Sequence, residues 1–210
     1  MLRKLCVAAG VAAVALGITP APAADDDVAA VLLISECLGA SGFDDIVSTC
    51  TKAIDSGKVN PTSMAVAYHK RGWAYQQKGK SEKAIADFNE TIRLRPDYGS
   101  AYSGRAGAWF SLGDYEKTVT DGTEAIRQSA NDVFAYNIRG MAFLNLKNYD
   151  AAIGDLTKAM ELVPGYAPYY QFRGDAYAGK NDRRAAKADY AQCLAIDESN
   201  KACKDALKKL

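Results

Sequence analysis

The sequence is poor in the groups from which catalytic and metal sites are usually built. It contains a single histidine, His69, and no cysteine or serine stands beside it in a pattern typical of a nucleophilic site. The sequence also contains no cluster of metal ligands and no phosphate-binding loop. We therefore predict a protein that is not an enzyme, with no catalytic residue, no metal and no cofactor, in which His69 is an ordinary exposed histidine.

An excess of one charge and long apolar runs are missing as well. The chain carries 26 basic and 25 acidic side chains, and no segment strongly concentrates either sign. Composition therefore gives no electrostatic reason to expect nucleic-acid binding. Beyond residue 18 no apolar stretch reaches the length of about 20 residues that a membrane-spanning helix requires, so we expect no integral membrane segment in the mature chain.

The first 23 residues have the composition of an export signal. Two basic residues precede an uncharged apolar run at residues 5–18, and the small residues Ala21 and Ala23 suit cleavage by signal peptidase. Cys6 lies before the apolar run rather than just after it, which argues against a lipidated cysteine. We predict cleavage after Ala23 and an exported protein, periplasmic or secreted.

Four cysteines remain after the export signal. Export permits disulfides, and four cysteines allow three pairings. Zinc is the competing interpretation, although no histidine lies near these cysteines and their spacing is not that of close zinc ligands. The four residues are Cys37, Cys50, Cys193 and Cys203.

A pattern with a period of 34 residues dominates the rest of the chain. The stretches YHKRG, YSGRA, YNIRG and YQFRG begin at Tyr68, Tyr102, Tyr136 and Tyr170. A second aromatic residue follows seven positions later in each copy, and small residues recur at matching places further on. Each copy contains two segments with helical spacing of apolar residues, separated by a polar turn. Gly122 stands where the other copies carry Phe88, Leu156 and Tyr190, so we expect a local gap there.

This order of tyrosine, glycine, aromatic, alanine and proline positions resembles the tetratricopeptide repeat. The resemblance covers residues 65–200 and implies an all-α solenoid of antiparallel helix pairs whose first helices line a concave face. It also implies a non-catalytic function in binding partner proteins or peptides. The physical logic agrees, because one helix pair cannot bury its apolar face without a stacked neighbour. The predicted units are 65–98, 99–132, 133–166 and 167–200.

The resemblance also suggests how the chain is closed at its two ends. We interpret residues 24–64 as a capping hairpin or degenerate repeat, because a shift of 38 residues places Cys37 on Tyr75 and Cys50 on Phe88. These two positions face each other within a regular unit, which favours a Cys37–Cys50 disulfide. Residues 201–210 predict a cap helix that would bring Cys203 to Cys193, with free thiols as the alternative for this second pair.

Each unit carries an arginine and, sixteen residues later, an aspartate. A ligand site normally differs from repeat to repeat, so we interpret these residues as structural ion pairs that tie helices together. The alternative is a ladder of arginines that binds an acidic peptide. The pairs are Arg71 with Asp87, Arg105 with Asp121, Arg139 with Asp155, and Arg173 with Asp189.

The first-helix positions that are not needed for packing change from unit to unit, as a binding face would. They combine aromatic rings, methionine and amides, which suits an extended peptide because amides bind its backbone and aromatic rings bind its side chains. The candidate partner-binding residues are His69, Trp73, Gln76, Ser103, Phe110, Phe134, Asn137, Met141, Asn145, Gln171 and Phe172.

Two other ligand classes differ in what they require of this face. Repeats that grip the acidic C-terminus of heat-shock chaperones use lysine, asparagine and arginine at places that here carry His69, Trp73 and Ser103, so that ligand is not expected. A carrier of a small apolar ligand, with Trp73, Phe110 and Phe134 as walls, is the alternative function. It requires a closed cavity of about 300 Å³ or more.

Overall fold

The structure, a computed structural model, describes residues 23–210 and contains eleven α-helices and no β-strand within that range. The export signal predicted at residues 1–23 lies outside the described residues, apart from Ala23. No described helix combines the length and the apolar character needed to cross a bilayer. The helices are α1 (Ala23–Gly39), α2 (Phe43–Asp55), α3 (Pro61–Gln77), α4 (Ser81–Leu94), α5 (Gly99–Ser111), α6 (Tyr115–Gln128), α7 (Val133–Asn145), α8 (Tyr149–Leu162), α9 (Ala167–Gly179), α10 (Arg183–Ile196) and α11 (Lys201–Lys209).

The helices form consecutive pairs that stack along the chain in two layers. The first helices α3, α5, α7 and α9 contact one another and form an inner layer, while α4, α6, α8 and α10 form the outer layer. The predicted all-α solenoid is therefore confirmed. Helix α3 begins at Pro61, four residues before the predicted start of the first unit, and the predicted cap helix is α11. We call the side of the inner layer that points away from the outer layer the groove face.

Repeated stop and start signals define each helix pair. One residue in every turn between the two helices of a unit has a left-handed backbone conformation, which ends the first helix and reverses the chain. These residues are Gly79 (φ 67°), Gly113 (φ 80°), Lys147 (φ 59°) and Asn181 (φ 64°). In three units an Asx side chain then accepts a hydrogen bond from a backbone N–H in the first turn of the second helix. These caps are Asp114, Asn148 and Asp182.

The glycine of the repeated five-residue motif lets the two helices of a pair approach closely. A Cβ added to Gly72 would lie 3.2 Å from the Phe88 ring, and one added to Gly174 would lie 2.7 Å from the Tyr190 ring. Both rings are buried. A large side chain of the outer helix thus packs directly on the backbone of the inner helix.

The prediction of a packing gap at Gly122 was wrong. A Cβ on Gly122 would lie 3.0 Å from Cβ of Arg139, so the aliphatic stem of that arginine occupies the space. Arg139 belongs to the next unit, and Ile138 beside it is only 6% exposed. Neighbouring units therefore share volume across their interface, which a comparison of positions within single units does not reveal.

Disulfides close both ends of the solenoid. Cys37 is bonded to Cys50 within the first hairpin, and Cys193 is bonded to Cys203 between α10 and α11. All four residues are fully buried. Each disulfide thus fixes a terminal helix that has a packing neighbour on one side only.

Candidate functional site

The four arginine–aspartate pairs lie between the two helix layers and do not form part of the groove face. In each pair the arginine Nε and Nη2 donate to the two carboxylate oxygens over 2.7–2.8 Å. The aspartates are buried, and the arginines are largely covered. The hydrogen bond to Asp189 raises the pKa of Arg173, which keeps the guanidinium charged.

Each arginine also reaches the outer helix of the preceding unit, a contact that sequence reasoning missed. Its Nη1 donates to a side-chain oxygen at 2.6–3.0 Å. The acceptors are Thr51, Asn89, Thr123 and Thr157. The last three each lie two residues after an aspartate of the set, a regularity that the sequence does contain. The arginines therefore join adjacent units as well as the two helices of one unit.

The tyrosine of the repeated motif packs on the arginine of the same motif. In each unit the guanidinium carbon lies 5.5–6.0 Å from the centre of the tyrosine ring three residues earlier. The tyrosine, arginine and glycine of the motif all serve the packing of helices. The groove face is thus left to the residues between them.

Five candidate residues meet around one cavity of about 260 Å³ on the groove face. They come from three successive inner helices, α3, α5 and α7. The five are His69, Trp73, Gln76, Ser103 and Phe134. Sequence reasoning did not assign the remaining lining residues, Gln77, Phe88, Ser100 and Gly104, to the site. We call this space the α3–α5 cavity.

The α3–α5 cavity is open to solvent, and aromatic rings stand on both sides of it. Trp73 is 42% exposed and Phe134 is 45% exposed, although both are large apolar side chains. Trp73 is held in place from the capping hairpin, where the ring of Phe43 meets it edge-on with 5.4 Å between centroids. The site therefore depends on the hairpin as well as on the repeats.

Glycines of α5 form the base on which the two sides meet. A Cβ on Gly107 would lie 2.3 Å from Nε2 of Gln76 and 3.0 Å from Cζ of Phe134. Because Gly107 has no side chain, residues of α3 and α7 come together over the backbone of α5. Ser103 also lines the cavity but is only 5% exposed, and its hydroxyl donates to the carbonyl of Ser100.

His69 is half-buried, which corrects the expectation of an exposed histidine. Its ring lies 5.0 Å from the ring of Tyr98 and 5.7 Å from the ring of Phe88. Burial lowers the pKa of His69 below its ordinary value of 6.5, against the opposing effect of a hydrogen bond to the Ser100 backbone. The histidine is therefore neutral at pH 7.

This lowered pKa predicts that His69, the single histidine of the sequence, makes the stability depend on pH near neutrality. Below about pH 6.5 the unfolded chain takes up a proton that the folded chain does not yet bind, so the free energy of unfolding falls as the pH is lowered. Denaturant unfolding between pH 7 and about 5.5 should show this decrease in the wild type. The decrease should be smaller in His69→Gln, and a constant difference between the two proteins across this range would contradict the prediction.

The remaining candidates are dispersed, and five of them line neither of the two cavities described here. Gln171 lines a second cavity of about 480 Å³ between α9 and α11, together with Asp175, whose carboxylate accepts a 2.6 Å hydrogen bond from the Tyr190 hydroxyl. Burial raises the pKa of Asp175. Phe110 packs on Tyr115, and Asn145 donates to the Met141 carbonyl. The Oδ1 of Asn137 is buried without a hydrogen-bond partner. The other two, Met141 and Phe172, are half-buried.

The α3–α5 cavity has no charged lining residue. Its nine lining residues include no aspartate, glutamate, lysine or arginine. The nearby Lys70 directs its ammonium away, donating to the carbonyls of Leu38 and Ala40 at the end of α1. Across the described residues no group of three or more potential metal ligands is found.

Comparison with known families agrees with this architecture. Models of the tetratricopeptide repeat match residues 65–98, 135–166 and 167–200. The chain belongs to the tetratricopeptide repeat family. The matched ranges are helix pairs α3–α4, α7–α8 and α9–α10, so the groove face is the inner surface of a TPR solenoid. A search of curated protein sequences found no significant match.

Solved TPR structures share the fold. The crystal structure of YrrB, described as a TPR protein with an unusual peptide-binding site, has a TM-score of 0.69 at 23% identity, covering 86% of this chain and 89% of that one. MamA from Desulfovibrio magneticus RS-1 has a TM-score of 0.70 at 18% identity, covering 84% and 98%. The Arabidopsis OM64 TPR domain has a TM-score of 0.52 at 29% identity, covering 53% and 92%.

Proposed function

We propose that this TPR protein is a non-catalytic, exported interaction scaffold that binds an extended segment of a partner protein along its groove face. The observation that carries the proposal is the α3–α5 cavity, where Trp73 and Phe134 stand exposed on either side of glycines in α5. Exposed aromatic residues around a pocket are the usual energetic centres of protein interfaces. Such residues gain most when a partner covers them, because their apolar surface then leaves water.

The groove favours an extended segment over a free small ligand. The α3–α5 cavity, about 260 Å³, is smaller than the 300–1,000 Å³ typical of small-molecule sites, and both of its aromatic walls are open to water. A small ligand there would remain largely exposed. A peptide would instead extend past the cavity along neighbouring inner helices, which is also the ligand class named for the structurally similar YrrB.

Polar side chains beside the aromatic walls suit the backbone of such a segment. Gln76, Gln77 and Ser100 line the same cavity and offer both hydrogen-bond donors and acceptors. A peptide bound in an extended form exposes unpaired N–H and C=O groups that amides and hydroxyls can satisfy. The combination of aromatic walls and uncharged polar groups thus matches both parts of a peptide.

Export is the second part of the proposal. Two buried disulfides support it, because disulfides persist in oxidising compartments and are rare in reducing ones. A cytosolic scaffold of this size would keep these cysteines reduced. The partner is therefore expected among proteins of the same oxidising compartment.

The test is selection of binding peptides from a random displayed library on the full disulfide-bonded chain, followed by calorimetry with a selected peptide. Trp73→Ala should weaken binding by at least about tenfold, because it removes an aromatic residue at the centre of the interface. Trp73 lies at the surface, so the variant should fold normally by circular dichroism.

The matched control is Leu112→Ala, which removes a comparably exposed apolar side chain (44%) from the turn between α5 and α6. Its affinity should stay within about twofold of the wild type. Recovery of no peptide above background, or equal affinity of Trp73→Ala and wild type, would refute the proposed function.

A further inference from the structure

Two repeated positions at the interfaces between successive units carry side chains of very different size. We call the residue at the position of Phe88 in each outer helix the outer partner. We call the residue at the position of Gly104 in the helix that follows the inner partner. One member of the pair is glycine or alanine at three of the four interfaces, and both members are large at the fourth. The four combinations along the chain are Phe88 with Gly104, Gly122 with Ile138, Leu156 with Phe172, and Tyr190 with Ala206.

A cavity is found where the inner partner is small. Gly104 and Phe88 both line the α3–α5 cavity, and Ala206 and Tyr190 both line the cavity between α9 and α11. A Cβ on Gly104 would lie 2.6 Å from Cζ of Phe88, so any side chain at this position would enter the occupied space. At the next interface the inner partner is the buried Ile138, and the stem of Arg139 beside it occupies the space next to Gly122.

The lining of the α3–α5 cavity determines which chemical groups can bind there. It consists of aromatic carbon, amides, hydroxyls and the neutral His69, with no charged residue. A charged group placed there would lose hydration without gaining a counter-charge, whereas an apolar group would gain from leaving water. An apolar cavity of about 150 Å³ holds one benzene, so about 260 Å³ accommodates one aromatic or branched aliphatic side chain.

We propose that the α3–α5 cavity receives one uncharged apolar side chain of the partner segment and that Gly104 is its specificity-determining residue, because any side chain there would displace the Phe88 ring or enter the cavity beside it. The inference rests on the proposed function and adds to it the class of anchor side chain. In the bound state the anchor lies between the exposed rings of Trp73 and Phe134, with the buried Phe88 beneath it. The anchor is expected to be phenylalanine, leucine, isoleucine or methionine rather than lysine, arginine, aspartate or glutamate.

The test uses a variant that closes the pocket with a combination the chain already contains. Phe88→Leu together with Gly104→Phe reproduces the pair Leu156 and Phe172 of a later interface and adds side-chain volume at the cavity, part of which the smaller Leu at position 88 offsets. The expected loss of affinity for a selected peptide is about tenfold or more. Replacing the anchor of that peptide with alanine should weaken binding to the wild type equally, and should have little further effect on the double variant.

The outcomes separate this inference from the proposed function. If peptides bind but none shows an apolar anchor, or if the double variant binds them unchanged, the role of Gly104 is refuted while the scaffold function stands. Phe88→Leu alone provides a second measurement should the double variant not fold. It enlarges the cavity, and the preference among anchors should shift toward the largest rings; an unchanged preference would count against the pocket.

Discussion

Replacing Arg105 with alanine is expected to lower the free energy of unfolding by about 3–5 kcal/mol. Arg105 binds both carboxylate oxygens of Asp121 at 2.7 Å and also donates to Asn89 of the preceding unit. The Asp121 side chain is 7% exposed, so loss of the guanidinium leaves a buried carboxylate without its counter-charge. Denaturant unfolding followed by circular dichroism measures the effect.

The net contribution of the Arg105–Asp121 pair to stability is expected to be much smaller than the cost of removing one of the two residues. Replacing both residues, Arg105→Met with Asp121→Leu, should restore most of the stability because no buried charge remains. The matched control is Arg127→Ala, whose 70% exposed side chain pairs with Glu124 on the surface. That control should cost about 0.5 kcal/mol or less. Equal decreases in the free energy of unfolding for Arg105→Ala and Arg127→Ala would contradict the stabilising role of the buried arginine–aspartate pairs.

Removal of the Cys37–Cys50 disulfide is expected to destabilise the first hairpin by about 3 kcal/mol. The bond joins residues 13 positions apart, and a loop of this size gains entropy in the unfolded state once the bond is lost. Alanine at both positions avoids burying new polar groups. Because only α3 packs on this hairpin from the repeat side, we expect α1 and α2 to open before the rest of the solenoid.

Hydrogen exchange with mass spectrometry tests this expectation directly. Amides of α2 should exchange about a hundredfold faster in the double alanine variant, while those of α7 and α8 should not change. The control, Cys193→Ala with Cys203→Ala, should affect only α10 and α11. Unchanged protection of α2 would contradict the prediction. Peptide affinity should also fall in the first variant, because Phe43 of the hairpin holds Trp73 in place.

The helix pairs and their ion pairs were predictable from the sequence because their causes are local or strictly periodic. Turn residues such as Gly113 and caps such as Asp114 act within a few positions. The spacing of sixteen between Arg105 and Asp121 is the same in every unit, so one contact explains all four. The structure brings each of these pairs together between the helix layers, a geometry that leaves the guanidinium groups unavailable to an acidic peptide.

The site was only partly predictable, since its geometry depends on neighbours from other units. The sequence placed His69, Trp73 and Phe134 on one face, but the environment of His69 is set by Phe88 and Tyr98. Phe43 lies 30 residues before Trp73 and shares no repeat position with it. No pattern within one unit could indicate that contact.

The sequence by itself determined the number, length and order of the repeated helix pairs, because hydrophobic period, turn residues and caps act over short distances. Only the tertiary structure decided where the groove is open. That outcome depends on contacts between side chains of different units, as Phe88 against Gly104 and Arg139 against Gly122 illustrate. Packing depends on which side chain of a neighbouring helix meets each residue, so one glycine lines a cavity while the space beside another is filled by the next unit.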